Sequence, residues 1–219
     1  MRNLAVELAS AGCHVLRFDY SGTGDSSGEA ADAGVEEWVE DVELAAEELR
    51  EMAAVPSVAL LGVRFGAALS YLASRDRREV EGLVLWDPVK NGRRYLDESS
   101  AVQEGWVRQR PQLRRPFRRH GGDQILGFPV TPRLRRAIEM TNLPDATGKP
   151  PAALSVVVSR GAETAEAWVE QLRAAGVRAR QVATDDESTW LDPGQVHMTW
   201  LPSPRTLRRV VEAVHGVRS

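Results

Sequence analysis

Cysteine is almost absent from this chain of 219 residues, which contains only Cys13. A single cysteine excludes an internal disulfide, and it cannot by itself form a cysteine-based metal site. Because Cys13 precedes an apolar segment, we expect it to be a small buried hydrophobic side chain rather than a reactive thiol. Neither a metal nor an organic cofactor is indicated by the sequence.

The chain also lacks an apolar run long enough to cross a bilayer, and its N-terminus has no signal-peptide core. The length suits one domain with a sizeable core. The hydrophobic fraction of 42% and the charged fraction of 27% are typical of a globular protein. We therefore expect a cytoplasmic protein that consists of one core domain and an insertion.

Charge is distributed unevenly, although the net charge is only −3. Residues 29–51 contain ten acidic residues and one arginine, whereas residues 90–119 contain nine basic residues. Prolines interrupt the basic segment, and no aromatic residues alternate with its charges as in a base-stacking surface. Nucleic-acid binding is therefore not expected, and the sequence does not indicate an oligomeric state.

Residues 57–73 read SVALLGVRFGAALSYLA and organise the rest of the chain. An apolar, β-favouring run leads into a glycine turn, and helix-favouring residues follow it. Gly62, Arg64 and Gly66 have the spacing of the G-x-S-x-G nucleophile elbow, in which a strained strand-to-helix turn exposes its central side chain. The sequence predicts this turn with arginine, not serine, at its centre.

Several other segments have the composition of strands and are separated by helical patterns. The predicted strands are residues 14–20, 58–61, 81–86, 152–160 and 177–183, of which the first reads as buried on both faces and the last as an edge strand. This alternation predicts an α/β fold with parallel strands and right-handed crossovers. Ligands of such sheets bind beyond the carboxyl ends of the strands, where Arg64 and Asp87 would lie.

The segment FDYSGTGDSSG resembles the turn after the fourth strand of α/β hydrolases, which often reads D-x-R-G-x-G-x-S. That resemblance implies mostly structural roles for Asp19, Gly22, Gly24 and Ser26. An alternative is a phosphate-binding loop, because glycines let backbone N–H groups approach an anion. However, the spacing fits neither the P-loop nor the dinucleotide fingerprint.

Taken with GVRFGA and LWDPVKNGRRYLDE, this segment makes the chain similar to hydrolase-like proteins associated with bacterial exosortase systems. These belong to the serine-aminopeptidase-like branch of the α/β-hydrolase superfamily. The resemblance implies a mainly parallel sheet with helices on both faces. It further implies a core formed by residues 1–89 and 152–219, with a lid inserted at residues 90–151 after the WDPV strand.

The same resemblance implies the positions of a catalytic triad. His197 is at the family's place for the general base, and Glu163 and Asp87 are alternative positions for the acid that orients it. Other interpretations stay open for each residue. His197 can be a loop residue, Glu163 a favourable charge in the first turn of a helix, and Asp87 a turn-capping residue before a proline.

Arg64 occupies the position that corresponds to the nucleophile. A guanidinium is protonated at all relevant pH values and cannot attack a carbonyl carbon. Its charge is also unfavourable at a helix N-terminus by ~0.3–1 kcal/mol. We expect an ion pair with Glu163 or Asp87 to offset this cost, with a bound anion as the alternative.

The chain begins at the helix that follows the third strand of the family, so the first three strands and part of the oxyanion hole are missing from it. We expect that the natural protein is longer rather than that the remaining strands pair in an altered order, because unpaired edges favour association.

The expected function is therefore that of a hydrolase-fold protein without serine-hydrolase activity, which binds a small molecule, an acyl ligand or a partner in the remnant cleft. The alternative is a hydrolase of ester or thioester bonds in which His197 and an acid activate water.

Overall fold

The structure is a computed structural model and describes residues 1–29, 32–109, 124–188 and 202–218. Its α-helices are α1 (Arg2–Ser10), α2 (Val35–Ala53), α3 (Phe65–Ala73), α4 (Gly92–Gln109), α5 (Pro132–Met140), α6 (Glu166–Ala174) and α7 (Pro204–Val217). Its strands are β1 (Val58–Val63), β2 (Val80–Trp86), β3 (Gln124–Ile125), β4 (Phe128–Pro129), β5 (Ala153–Arg160) and β6 (Arg178–Glu187). A 3₁₀ helix spans Leu143–Asp145.

The main sheet contains four parallel strands in the order β1-β2-β5-β6. Its two central strands are apolar along nearly their whole length and are buried on both faces, as parallel strands between helical layers are. The predicted α/β-hydrolase class with a mainly parallel sheet is confirmed. The sequence also predicted these four strands, and β6 is at the edge of the sheet in the described part of the chain, as its alternating pattern indicated.

Helices cover both faces of the sheet. On one face, α3 and α6 pack against β2 and β5 through a core that includes Tyr71, Leu83, Leu154 and Trp168. On the other face, α1 and α7 pack against the same strands around Trp86, which has no exposed surface. In the described part of the chain, no helix combines the length and the apolar character needed to cross a membrane.

The prediction of a strand at residues 14–20 is wrong. This segment has no regular secondary structure, and Val15, Leu16 and Phe18 are each 37% exposed. No backbone hydrogen bond joins it to β1, so that β1 is an edge of the sheet as far as the structure describes the chain. β-forming side chains do not make a strand unless a neighbouring strand is there to pair with it. Cys13, at the start of this segment, is half-buried rather than buried.

The predicted insertion at residues 90–151 is more regular than its sequence indicated. We expected short helical pieces, but α4 is 18 residues long. A hairpin of β3 and β4 follows, with Leu126 and Gly127 at positive φ in its turn, and the predicted helix at residues 133–140 corresponds to α5. The boundaries of the insertion, and its role as a lid, stay predictions.

The turn between β1 and α3 depends on a close approach of the two elements at Gly62. A Cβ atom at this position would lie 2.4 Å from both the Ala67 Cα and the Gly66 carbonyl oxygen. Those neighbours are backbone atoms, which cannot move without displacing α3. A Cβ atom at Gly66 would instead meet only the Tyr20 hydroxyl, at 3.4 Å.

We expect Gly62→Ala to lower the free energy of unfolding by about 1–3 kcal/mol, because the added methyl group overpacks the turn. The matched control is Gly66→Ala in the same turn, for which the change should stay within about 1 kcal/mol because alanine also has the better helix propensity. Urea unfolding followed by circular dichroism measures both. Equal losses of stability in the two variants would contradict the proposed close approach.

Candidate functional site

Arg64 lies at the tip of the turn between β1 and α3 in a strained backbone conformation. Its φ is 54° and its ψ is −121°, a region that L-residues rarely adopt. The Arg64 amide donates to the Trp86 carbonyl oxygen at 2.9 Å, and the Arg64 carbonyl oxygen accepts from Val89 at 3.2 Å and Ala67 at 3.1 Å. The predicted strand–turn–helix with Arg64 at its tip is therefore present.

The Arg64 side chain is half-buried and does not form the expected ion pair. Its Nη1 atom donates to the Asp87 backbone carbonyl oxygen over 3.4 Å. No salt bridge joins Arg64 to a carboxylate in the described ranges. Within the part of the chain that the structure describes, the positive charge at the elbow thus has one long hydrogen bond, to a neutral acceptor.

Tyr95 on α4 lies beside this charge. Its ring stacks on the Phe65 ring, with 5.6 Å between the centroids and 13° between the planes. Burial raises the pKa of Tyr95, and the positive charge of Arg64 partly opposes that rise. The elbow therefore contacts the first helix of the insertion through an aromatic pair.

Glu163 pairs with two cations at the start of the insertion instead of with Arg64. Its carboxylate oxygens lie 3.1 Å from Lys90 Nζ and 3.4 Å from Arg94 Nη1. Lys90 also donates to the Thr164 carbonyl oxygen at 2.9 Å, and Arg94 Nε lies 2.7 Å from a carboxylate oxygen of Glu98. Glu163 follows β5 as predicted, but sequence reasoning missed these partners. The only signal for them was two cations four residues apart directly after the WDPV strand.

Asp87 bridges the ends of β2 and β5. It is 4% exposed, has a φ of 42°, and its Oδ1 accepts a hydrogen bond from the Ser159 amide at 2.8 Å. Its own amide donates to the Val157 carbonyl oxygen at 2.9 Å. These bonds join two strands and leave the catalytic and the turn-capping roles of Asp87 as predictions. His197, the predicted general base, lies outside the described residues.

These side chains line one polar cleft of about 370 Å³ at the carboxyl ends of β1, β2 and β5. Its lining includes three predicted site residues, Arg64, Asp87 and Glu163, together with the two cations Lys90 and Arg94. Within the described ranges, no three His, Cys, Asp or Glu side chains are grouped as metal ligands would be. The cleft can therefore hold a small polar molecule through charged side chains.

The glycine-rich turn at residues 21–28 is closed by its own hydrogen bonds. The amides of Gly22, Thr23 and Ser26 donate to carbonyl oxygens within or next to the turn, and the Ser26 hydroxyl donates to the Asp19 carbonyl oxygen. The Ser21 amide donates to the Asp41 carboxylate at 2.8 Å. These amides are engaged within the protein and are not available to an anion, which argues against the phosphate-binding alternative.

A row of aromatic rings joins that turn to the elbow. Tyr20 contacts Trp38, and Trp38 contacts Phe65, with centroids 5.8 and 6.5 Å apart. Burial and the nearby charge of Asp41 raise the pKa of Tyr20 to about 12. The glycine-rich turn therefore supports the wall of the site through packing.

Comparisons with known proteins agree with this geometry. The family model described as "Serine aminopeptidase, S33" matches residues 1–175. Among solved structures, an esterase of Pyrococcus furiosus superposes with a TM-score of 0.64 at 14% identity, over 99% of this chain and 75% of the other. A monoacylglycerol lipase of Paleococcus ferrophilus gives 0.62 at 17% identity, over 98% and 88%. Est1E of Butyrivibrio proteoclasticus, solved with ferulic acid, gives 0.53 at 16% identity, over 91% and 74%. The search of curated proteins returned no significant match.

Because the backbone of Arg64 is strained, we expect glycine at position 64 to give a more stable protein than alanine, which is the reverse of the order at an ordinary helical position. We expect Arg64→Gly to be more stable than Arg64→Ala by about 1–3 kcal/mol, because glycine adopts this conformation without a Cβ clash. At the exposed helical position Glu40, alanine should instead be more stable than glycine by about 0.8–1.0 kcal/mol. Chemical unfolding of the four variants tests this expectation. An alanine advantage at both positions would show that the turn is not strained.

Proposed function

Because this chain belongs to the serine aminopeptidase S33 family of α/β hydrolases, we propose that it is a family member without serine-hydrolase activity that binds a small anionic molecule in the cleft at Arg64. The carrying observation is the Arg64 side chain itself, a cation at the tip of the elbow that no described carboxylate neutralises.

The first step of the argument concerns chemistry. Serine hydrolases form an acyl-enzyme by attack of a hydroxyl oxygen, and that residue must be activated by a general base. The guanidinium of Arg64 has no lone pair available for attack and stays protonated. In this cleft, a triad acid and base would therefore have no nucleophile to activate at the elbow.

The second step concerns recognition. A guanidinium presents five N–H donors in a planar fork that matches a carboxylate or a phosphate. Among the described residues, one Arg64 donor has an acceptor, at the long distance of 3.4 Å. Glu163 already neutralises Lys90 and Arg94 in part, so Arg64 is the cation best placed to bind a ligand. A carboxylate ligand would restore the charge balance that the internal ion pair was expected to give.

The same proposal includes a role for the insertion, a cellular location and a narrower group of relatives. Residues 90–151 act as a lid, which contributes Lys90 from the segment before α4 and Arg94 from α4 to the cleft. The protein is a cytoplasmic relative of the bacterial exosortase-associated hydrolases. The motif LWDPVKNGRRYLDE supports the latter.

The alternative function is hydrolysis of an ester or thioester by water, with His197 as base and Glu163 or Asp87 as acid. The likeness of the fold to esterases and a lipase favours it. The ion pairs of Glu163 argue against that residue as the acid, because its carboxylate is engaged by two cations.

Ligand binding is testable with ferulate, the anion of the acid held by the Butyrivibrio esterase in its structure. We expect Arg64→Gln to weaken ferulate binding roughly 10- to 100-fold, because a charge-assisted hydrogen bond contributes about 1.5–3 kcal/mol. Fluorescence titration gives the dissociation constants. Two controls are the exposed Arg209→Gln on α7, which should bind as the wild type does, and the uncharged methyl ferulate, which should not respond to Arg64→Gln. Unchanged ferulate binding by Arg64→Gln would refute the proposal.

Hydrolysis is testable with a panel of nitrophenyl esters and acyl thioesters. We expect the wild-type protein to release nitrophenol and free thiol no faster than the buffer does, because the elbow has no nucleophile. The decisive comparison is His197→Ala. Turnover by the wild type that disappears in this variant would establish the water-activating alternative in place of the binding function.

A further inference from the structure

Four charged side chains form one ion-pair group in the polar cleft, beside Arg64. They are Lys90, Arg94, Glu98 and Glu163, all of which line the cleft. Glu163 contacts both cations, since its carboxylate oxygens lie 3.1 Å from Lys90 Nζ and 3.4 Å from Arg94 Nη1. Arg94 Nε also lies 2.7 Å from Glu98 Oε1. Two positive and two negative charges therefore balance, and we call these four side chains the Glu163 group.

Lys90 brings this group close to the elbow. The residue before it, Val89, donates its amide to the Arg64 carbonyl oxygen at 3.2 Å. The Lys90 side chain is 16% exposed, and its Nζ atom donates to the Thr164 carbonyl oxygen as well as to Glu163. The ammonium group thus starts from a backbone position next to the elbow, and its described partners both belong to the loop after β5.

Glu163 sets the net charge of the group. Among the described residues, it is the carboxylate that contacts both cations, whereas Glu98 contacts Arg94 but not Lys90. Without the charge at position 163, Lys90 would keep a neutral carbonyl oxygen as its partner, and the group would carry one net positive charge. Such a group would bind a carboxylate, because a charge-assisted hydrogen bond is roughly twice as strong as a neutral one.

The other charged residues of the cleft leave Arg64 as the cation that forms no salt bridge in the described part of the site. Asp87 is buried, and its carboxylate accepts from the Ser159 amide at 2.8 Å. Glu187 lines the cleft but pairs at 3.0 Å with Arg160, which does not line it. One ligand carboxylate therefore has a positive partner at the elbow. A second carboxylate would meet a balanced group and further exposed carboxylates, and like charges oppose binding.

We propose that Glu163 makes the cleft selective for a ligand that carries a single carboxylate and is otherwise uncharged. This selectivity rests on the proposed function, in which Arg64 binds the carboxylate. Glu163 excludes dicarboxylates because it occupies the two cations that a second carboxylate would need. Position 163 thus acts in the selection of the ligand rather than in a catalytic triad.

The probes are two compounds of similar size that differ in charge, 4-carboxycinnamate with two carboxylates and its 4-methyl ester with one. The corresponding 3-substituted pair changes the separation of the two groups. Isothermal titration calorimetry near neutral pH measures the dissociation constants. We expect the wild-type protein to bind each monoester at least about tenfold more tightly than the matching dicarboxylate, because the carboxylates of the cleft repel the second charge.

Glu163→Gln is the decisive variant. It should bind the dicarboxylates about tenfold more tightly than the wild type does, because the second carboxylate takes the place of Glu163 on the two cations. The gain for the monoesters should stay below about threefold, because they present no charge to the Glu163 group. Glu163→Asp keeps the charge and should keep the wild-type preference.

Two further variants locate the effect. Glu187→Gln makes the same change of charge in the same cleft at a residue outside the Glu163 group, and its preference should match that of the wild type. In the double variant Lys90→Gln/Glu163→Gln, most of the gain for the dicarboxylates should be lost, because the ammonium that would bind them is absent. Thermal unfolding followed by circular dichroism checks that each variant is folded.

An unchanged preference in Glu163→Gln, while monoester binding still depends on Arg64, would overturn the role of Glu163 and leave the proposed function standing. An equal gain in Glu187→Gln would assign the effect to the overall charge of the cleft and would overturn that role as well, as would a gain that persists without Lys90. If the wild type binds no monoester, the proposed function itself fails, and the selectivity fails with it.

Discussion

The backbone hydrogen bonds between the Arg64 turn and the end of β2 hold the site together. Arg64 donates to the Trp86 carbonyl oxygen and accepts from Val89, so the strained turn and the segment after β2 fix each other. Asp87, between those two contacts, is fixed in turn to the end of β5 through Ser159. These bonds involve backbone groups or a buried carboxylate. The position of the cleft therefore does not depend on the side chain at position 64. The fold can persist when a serine at the elbow is replaced by a residue that is not a nucleophile.

The charged side chains of the cleft form two groups. Glu163 neutralises cations that belong to the insertion, whereas Arg64 belongs to the core and, among the described residues, donates a hydrogen bond to a carbonyl oxygen but pairs with no carboxylate. A mobile ligand could not displace the first group without breaking two ion pairs. If the cleft binds an anion as proposed, this arrangement favours the elbow over the entrance of the insertion.

The sequence predicted those features of the structure that depend on neighbouring residues, and it missed those that depend on residues far apart in the chain. The strands β1, β2 and β5 and the elbow were predictable because apolar runs and glycine spacing act over a few residues. The segment at residues 14–20 was mispredicted because β-forming side chains make a strand only through hydrogen bonds to a neighbouring strand, and no described strand, β1 included, pairs with this segment. The length of α4 was missed because its charged surface hides its periodicity, and the partners of Glu163 were missed because Lys90 and Arg94 are more than 60 residues away in sequence.

The open edge and the elbow are connected because both belong to β1. Val63 ends the strand, and Arg64 follows it directly with a conformation that costs of order 1–3 kcal/mol. In a central strand, hydrogen bonds to two neighbouring strands would offset that cost. In the described structure only β2 pairs with β1, so this one ladder and the packing of α3 against Gly62 must hold the turn in place. In the described structure, the stability of the arginine elbow therefore depends on the hydrogen bonds between β1 and β2 and on the packing of α3.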